Sequence, residues 1–237
     1  ASFKNPEFGA KLGMHLSTNN VPRIISCADV SDDWLGLPRG CEDALIGFFE
    51  ENSVGIGIED KTNHGHTIEV SFRGILRPEQ EAAVTQLMSY ENGVLSGTTA
   101  FGKTVAAIGL IAKRKVNTLI LVHNKALAKQ WREKLYEFLN IDYTLPEAPK
   151  TRGRRKRQSL IGLLSSDENT LNDNIDIALL QSCMSGNEVK PFVRNYGKVI
   201  VDECHHVSAS NFEQVLEYAN AQYVYGLTAT PMRKDGH

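Results

Sequence analysis

The stretch GTTAFGKT, Gly97–Thr104, decides the fold. It satisfies the phosphate-loop pattern GxxxxGK[ST], and it lies between an apolar run and a helical pattern, the context that such a loop requires. Gly97 and Gly102 let the backbone wrap a phosphate without a clash from Cβ, while amide groups at the helix start attract the anion. We expect Lys103 to reach the β- and γ-phosphates of a nucleotide and Thr104 to ligate Mg²⁺.

Apolar runs alternate with helical patterns on both sides of this loop. The runs are nearly continuous in Val, Ile and Leu, as is typical of parallel strands covered on both faces. Strands are predicted at 93–96, 118–122, 175–180, 198–202 and 223–227, with a marginal strand IGLL (161–164), and helices at 104–114, 125–139 and 209–219. This alternation predicts an α/β fold with a central, mostly parallel sheet, whose ligands bind at the carboxyl ends of the strands.

The chain changes character near Gly74. Residues 1–74 hold 6 Lys+Arg against 11 Asp+Glu, a net charge of −5, whereas residues 75–237 hold 20 against 17, a net charge of +3. The first segment is predicted to be a small acidic α+β domain with a strand at RIIS (23–26), a helix from Pro38 and an alternating strand HTIEVSF (66–72). KTNHGH (61–66) is predicted to be the hairpin turn before that strand. The second domain, 75–237, begins with a helix whose first position is Pro78.

The run KVIVDECHH (198–206) supplies the carboxylates that a phosphate loop needs. Asp202 ends an apolar strand and is expected to hold the metal, and Glu203 to polarise an attacking water. Cys204, His205 and His206 would also suit zinc, but zinc sites draw their ligands from separated turns and the sequence has no second cluster.

Three motifs in this order resemble those of superfamily 2 helicases. GTTAFGKT, DECHH (202–206) and GLTATP (226–231) resemble motifs I, II and III, with DECHH a DEAH-box variant. LRPEQ (76–80) resembles the adenine-reading region, LVHNKALAKQW (121–131) resembles motif Ia, and LLQSC (179–183) resembles a segment that touches the nucleic-acid backbone. The run PMRKDG (231–236) after motif III is typical of the XPB-like and type III restriction-enzyme-like branch.

The resemblance implies a RecA-like, ATP-binding helicase lobe over 75–237 and assigns roles to residues. It implies nucleotide contacts at Arg77, Gln80, Gly97, Thr98, Thr99, Ala100, Phe101, Gly102, Lys103 and Thr104. It implies catalytic roles for Lys103, Asp202, Glu203 and His205, with Mg²⁺ held at Thr104 and Asp202. It implies coupling through Thr228, Ala229 and Thr230, and nucleic-acid contacts at His123, Asn124, Lys125, Gln181 and Ser182. Phe101 is bulkier than the small residue common at its position.

The resemblance also implies partners. Helicases of this superfamily use two RecA-like lobes, and the second supplies arginine fingers. The chain is therefore expected to hold the N-terminal extension and the first lobe, to bind Mg·ATP but hydrolyse it slowly, and to act on DNA rather than RNA. Three alternatives stay open: the motor of a restriction or defence system that translocates on duplex DNA, a nucleotide-binding switch that is not a motor, and a phosphate-loop kinase.

The rest of the sequence carries weaker indications. The composition, 41% hydrophobic and 23% charged, excludes a disordered chain. No apolar stretch approaches the roughly 18 residues of a membrane span, and four cysteines without a CxxC pair favour free thiols in the cytoplasm. The basic run at 150–158 is interpreted as a solvated loop, with nucleic-acid contact as the second reading. Trp131 and Phe138 recur at helical spacing and are predicted core residues.

Overall fold

The fold is described from a computed structural model, which describes residues 2–4, 6–19, 21–26, 28–147, 150–151, 154–155, 158–204 and 210–229. These residues form two compact units, one up to Asp60 and one from Lys61 onward. Among the described residues, no helix combines the length and the apolarity needed to cross a bilayer.

The first unit contains short antiparallel strand pairs and two helices. Its elements are β1 (Ser2–Lys4), α1 (Pro6–Gly13), β2 (Ile24–Ser26), β3 (Asp29–Val30), β4 (Leu35–Gly36) and α2 (Glu42–Glu51). Strand β1 pairs with β2, and β3 pairs with β4. A 3₁₀ turn at Arg39–Cys41 precedes α2, so the α-helix begins later than the pattern from Pro38 suggests.

The second unit holds the phosphate loop. Its elements are β5 (Val70–Phe72), α3 (Pro78–Met88), β6 (Asn92–Ser96), α4 (Lys103–Arg114), β7 (Thr118–Val122), α5 (Lys125–Phe138), β8 (Leu139–Ile141), β9 (Lys150–Thr151), β10 (Arg154–Arg155), β11 (Ile161–Leu164), β12 (Ile175–Leu179), β13 (Met184–Ser185), β14 (Glu188–Val189), β15 (Lys198–Asp202), α6 (Ser210–Tyr218) and β16 (Tyr223–Thr228). Short 3₁₀ turns lie at Thr99–Phe101, Leu180–Cys183 and Pro191–Asn195.

The central sheet has the order β11-β12-β7-β15-β16-β6 in the described part of the chain. Every neighbouring pair in it is parallel. The predicted α/β fold with a mostly parallel sheet is therefore confirmed, and the bounds predicted for the strands of this sheet differ from the observed ones by at most one residue. Outside it, the strand predicted at 66–72 is observed only at Val70–Phe72. The marginal segment IGLL is a strand at the edge of this sheet.

Side chains of the strands face two separate hydrophobic layers. Ile120 packs with Ile108 of α4 and Trp131 of α5 on one face, whereas Leu121 packs with Val215 of α6 on the other. Because helices cover both faces, the strands need apolar residues at successive positions, and this explains their continuous apolar runs.

The segment before α3 packs differently from the hairpin that its sequence predicts. Strand β5 pairs antiparallel with β8 instead of with VGIGI (54–58), which forms no strand. KTNHGH is therefore not a hairpin turn, and that prediction is wrong. Gly55 and Gly57 explain the missing strand, because glycine has no side chain to pack and weakens a strand. The second compact unit begins at Lys61, ahead of the charge change at Gly74, and residues before β5 contact this unit as well, as the bridge between Asn63 and Ala221 shows.

Candidate functional site

Three strand ends bring the predicted motifs to one edge of the sheet. On the adjacent strands β15, β16 and β6, Asp202 lies opposite Leu227 and Thr228 lies opposite Ser96. The Gly97 amide at the start of the phosphate loop donates to the Thr228 carbonyl at 3.1 Å. The phosphate loop, the acidic pair and motif III thus start from neighbouring positions, where α/β proteins bind ligands.

The backbone of the phosphate loop requires glycine at Gly102 and leaves little room for a side chain at Gly97. Gly102 has φ of +75°, and a Cβ added there would lie 2.7 Å from Gln80 Nε2. A Cβ on Gly97 would lie 3.1 Å from the ring of Phe101, which closes the short Thr99–Phe101 turn and packs against the core. The bulky Phe101 therefore fits because its ring packs against the hydrophobic core. The positive φ of Gly102, directly before the first turn of α4, fits a loop that wraps a phosphate at a helix start.

Lys103 begins helix α4 with its side chain folded along the loop. Its ammonium donates to the Gly97 carbonyl at 2.8 Å and to the Thr98 carbonyl at 3.4 Å, and the residue is buried. Thr104 follows, half-buried, in the first turn of the helix, while Thr98 and Ala100 are exposed. The cation predicted to meet phosphates therefore lies within the loop.

Arg77 and Gln80 attach the start of α3 to the same loop. Gln80 is buried; its Oε1 accepts from the Arg77 amide at 3.0 Å and its Nε2 donates to the Phe101 carbonyl at 2.9 Å. The Arg77 guanidinium donates to the carbonyls of Ala100, at 3.2 Å, and Phe101. Both ends of the Gln80 amide are engaged by the protein, so a contact with adenine would require Gln80 to exchange one of these partners.

Asp202 is a buried carboxylate with two hydrogen-bond donors. Its Oδ2 accepts from Trp131 Nε1 at 2.7 Å, and its Oδ1 accepts from the Glu203 amide at 3.0 Å. Burial raises the pKa of the Asp202 carboxyl, while the Trp131 hydrogen bond and the charge of Lys103 oppose that rise. Glu203 has φ of +51°, a left-handed conformation that costs free energy for a residue with a Cβ.

Trp131 is a residue whose contact the sequence interpretation missed. It is fully buried, as predicted for a core residue, but its indole N–H reaches across to the candidate metal ligand Asp202. A signal existed, because a buried tryptophan N–H needs an acceptor. The identity of that acceptor depends on how α5 packs over the sheet, which helical spacing alone does not give.

The two candidate nucleic-acid segments, residues 123–125 and residues 181–182, meet at the same edge of the sheet as the phosphate loop. The segments follow the neighbouring strands β7 and β12, and Gln181 Nε2 donates to the His123 carbonyl at 3.3 Å. Asn124 caps α5, because its Oδ1 accepts from the Leu127 amide at 2.9 Å, and its side chain is therefore engaged in holding the helix start. Ser182 lies next to Gln181 and is half-buried.

Lys125 is exposed at the first turn of α5 but forms an ion pair. It contacts Asp167, whose pKa is lowered by the hydrogen bond from Lys125. Arg132, two turns along the same helix, pairs with Glu168 at 3.1 Å. These residues line a groove of about 490 Å³ between α5 and the turn that follows β11. Basic side chains of the predicted nucleic-acid face thus lie against an acidic turn.

Some predicted residues lie outside the described part of the chain. These are His205 and Thr230, whereas Thr228 is buried at the end of β16 and Ala229 follows it, half-buried. Of the basic run, the structure describes Lys150–Thr151 and Arg154–Arg155, which pair antiparallel, and Gln158. His205 and Thr230 therefore keep their predicted roles as predictions.

Comparison with known proteins identifies the family. The model of the family described as "Type III restriction enzyme, res subunit" matches residues 73–233. The chain belongs to this family. The expected relation to superfamily 2 helicases of the XPB-like and type III restriction-enzyme-like branch is confirmed, because the relatives include proteins described as Rad25 and XPB helicases.

Two curated relatives illustrate this relation. The chain is 32% identical over 178 residues to the putative helicase 109L of Invertebrate iridescent virus 3, which covers 72% of this chain and 50% of the relative. It is 31% identical over 172 residues to a putative DNA 3'-5' helicase Rad25 of Halobacterium salinarum, which covers 72% of this chain and 26% of the relative. The chain thus spans half or less of the length of these relatives.

A solved structure has the same fold. The crystal structure of the UvsW helicase from bacteriophage T4 superposes with a TM-score of 0.61, covering 97% of this chain and 82% of that one, at 15% sequence identity. This agreement supports the α/β fold of the central sheet.

Proposed function

We propose that this chain is the ATP-binding lobe of a motor that moves on nucleic acid. The observation that carries the proposal is the meeting of the phosphate loop, Asp202 and Thr228 at adjacent strand ends, beside the two segments joined by Gln181 and His123. This sheet edge therefore has two parts. The nucleotide half comprises the phosphate loop, Asp202 and Thr228, and the polymer half comprises the segments that contain His123 and Gln181.

The nucleotide half has a donor set that suits Mg·ATP. The amides of the loop and the Lys103 ammonium would bind phosphates, Thr104 and Asp202 would hold the metal, and Glu203 would polarise the attacking water. Mg²⁺, when bound, neutralises charge on the phosphates. Arg77 and Gln80 are the candidate adenine contacts, with Thr98, Thr99, Ala100 and Phe101 shaping the loop. His205, with Thr228, Ala229 and Thr230, is proposed to couple the acidic motif to motif III.

The polymer half is proposed to hold a phosphate backbone. His123, Asn124, Lys125, Gln181 and Ser182 present amide, imidazole and ammonium groups of the kind that position a strand without reading its sequence. DNA is proposed over RNA because one relative is described as a DNA 3'-5' helicase, although another is described as an RNA helicase. A DNA and an RNA duplex in parallel titrations separate the two.

A second RecA-like lobe is proposed as the partner that completes the site, since a finger arginine for the phosphates would come from it. The cytoplasm is the proposed compartment. It is supported by Cys41, Cys183 and Cys204, which are free thiols in the described part of the chain, because thiols stay reduced there.

Calorimetric titration of the chain with ADP and Mg²⁺ tests the nucleotide site. Lys103→Ala is expected to lower the affinity at least about tenfold, since it removes a charge-assisted contact to phosphate. Lys113→Ala is the matched control, because this lysine lies on the same helix and pairs with Glu81 away from the loop. Equal affinities for the three proteins would contradict the proposal.

A further inference from the structure

The contact between Trp131 and Asp202 carries an inference about how the metal ligand is oriented. A carboxylate that binds a cation must present an oxygen in a fixed direction, and Mg²⁺ demands near-ideal octahedral geometry. Asp202 is at the end of β15, where its side chain can rotate unless neighbouring donors fix it. The donors at its two oxygens therefore decide which lone pairs remain available.

Both oxygens of Asp202 have one donor each in the structure. The Glu203 amide, at 3.0 Å from Oδ1, comes from the backbone of the adjacent residue and is present whatever side chains surround it. The Trp131 indole, at 2.7 Å from Oδ2, comes from another element, 71 positions away in sequence. Trp131 is fully buried, so the side chains packed around its ring fix the direction of its N–H group. Only this second donor ties the carboxylate to a neighbouring helix.

We propose that Trp131 is a positioning residue that orients the Asp202 carboxylate for the metal of the bound nucleotide. The inference rests on the proposed function, and it assigns to Trp131 no contact with nucleotide or metal. A carboxylate oxygen has two lone pairs, so Oδ2 can accept from the indole and still face a cation. Residues that hydrogen-bond to a metal ligand without touching the metal orient that ligand, and their loss lowers metal affinity about 10–100-fold. Trp131 has this role toward Asp202.

The position of Trp131 also connects this orientation to the polymer half of the edge. Helix α5 begins at Lys125 and contains Trp131 six residues later, about 9 Å along the axis at 1.5 Å per residue. The helix start is held by the Asn124 cap and lies beside Gln181 through the His123 carbonyl. A shift of α5 on binding a strand would therefore move the indole relative to Asp202.

Trp131→Phe tests the inference, because phenylalanine keeps an aromatic ring in the core and lacks the N–H. The measurement is the affinity for ADP with Mg²⁺ and with EDTA, and the quantity compared is the ratio of the two affinities. We expect Trp131→Phe to lower this ratio about tenfold, in line with the loss of an outer partner of a metal ligand. The affinity for ADP in EDTA is expected to stay within about twofold, since the loop contacts to phosphate remain.

Leu135→Val is the matched control for loosened packing. Leu135 is fully buried one turn further along α5, and the variant opens a small cavity without removing a donor from Asp202. A purely structural role for Trp131 predicts that both variants leave the ratio unchanged, and this result would overturn the inference. A ratio lowered equally by both variants would overturn it as well.

A spectroscopic readout separates this inference from the proposed function. The chain has two tryptophans, so Trp34→Phe leaves Trp131 as the sole indole. We expect the fluorescence emission of Trp131 in Trp34→Phe to change when Mg²⁺ is added to the ADP-saturated protein. In the double variant that carries both Trp34→Phe and Asp202→Asn, we expect no such change. If the unsubstituted chain binds no ADP in either medium, the proposed function fails and this inference with it. If it binds ADP with a Mg²⁺ dependence that Trp131→Phe retains, only this inference fails.

Discussion

At the scale of single residues, Gly102 shows how far the sequence determines the loop. The pattern GxxxxGK[ST] predicts a glycine that phosphate wrapping requires, and the structure adds a second reason, the Gln80 amide at 2.7 Å from a Cβ placed there. The pattern could not predict this neighbour, because Gln80 belongs to α3 and reaches the loop only after α3 has packed on α4.

Gly102→Ala is expected to weaken both the loop and nucleotide binding. The substitution forces a Cβ into positive φ, which costs about 1–2 kcal/mol, and it displaces the Gln80 side chain. Thermal unfolding should show a loss of about 1–3 kcal/mol, and ADP affinity should fall. Gly109→Ala is a poor control because Leu76 lies 2.8 Å from its added Cβ; Gly47→Ala meets no atom within 4 Å and serves instead. Unchanged stability and affinity would contradict the interpretation.

Lys198, the first residue of β15, is a lysine whose position in the sequence does not indicate its environment. It is fully buried, and in the described part of the chain its Nζ has no hydrogen-bond partner. Burial, with a smaller contribution from the charge of Arg114, lowers its pKa well below 10.5. The unfolded chain therefore binds a proton that the folded chain does not, and the cost in stability grows as pH falls below about 10.5.

Lys198→Met is expected to raise stability at pH 7 by about 1–3 kcal/mol, the cost of an unsatisfied buried polar group. The gain should shrink as pH rises from 7 toward 10, since the unfolded lysine then loses its proton too. Chemical unfolding at several pH values measures this difference, and Lys113→Met, at an exposed ion pair, is the control. A gain that is constant with pH, or a loss of stability, would contradict the account.

At the scale of elements, prediction from sequence succeeded where each element has its own pattern. The strands of the sheet and the helices α4, α5 and α6 were predicted within one residue at each end, because their apolar faces repeat along the chain. The prediction of a hairpin at KTNHGH was wrong because a strand can pair with a segment that is distant in sequence. β5 pairs with β8, about 70 residues away, and not with the nearest apolar run.

The acidic turn against α5 is an element-scale feature with a measurable consequence. Asp167 forms an ion pair with the ammonium group of Lys125, the cation that is proposed to bind a phosphate of the polymer. Asp167→Asn is expected to raise the affinity for a fluorescein-labelled 20-base-pair DNA duplex, because it removes a competing anion from a site that phosphates would use. Lys125→Ala should lower that affinity and reduce by about one the slope of log K against log salt.

Fluorescence anisotropy at several salt concentrations measures both effects. Lys134→Ala, on the same helix but paired with Glu137, is the control for general charge loss. If Lys125→Ala and Lys134→Ala have equal effects, the groove beside α5 is not the polymer site.

At the scale of the whole molecule, the sheet order brings the proposed groups to one edge. The order β11-β12-β7-β15-β16-β6 places the proposed nucleotide groups after β15, β16 and β6 and the proposed polymer groups after β7 and β12. The sequence predicted the strands and their motifs, but not which strands are neighbours, since several parallel orders satisfy the same alternation. The structure shows the order for the described residues.

The adjacency of the two halves implies that they are coupled. β15 and β7 are neighbours, and Trp131 joins α5 to Asp202, so a strand proposed to bind at the α5 start and a nucleotide proposed to bind at the loop would contact elements that are directly linked. A nucleotide-binding switch without a motor cycle needs no such coupling to a polymer. Coupling between the two ligands is therefore the property that separates the two functions.

The linkage between nucleotide and DNA binding tests this central claim most directly. The affinity of the chain for Mg·ADP is measured by calorimetry without DNA and with a saturating 20-base-pair duplex, and the duplex affinity is measured with and without Mg·ADP. We predict that each ligand changes the affinity of the other by the same factor, at least about fivefold, because linkage is reciprocal. Two ligands that bind but leave each other's affinity unchanged would contradict the claim that this edge is one motor site.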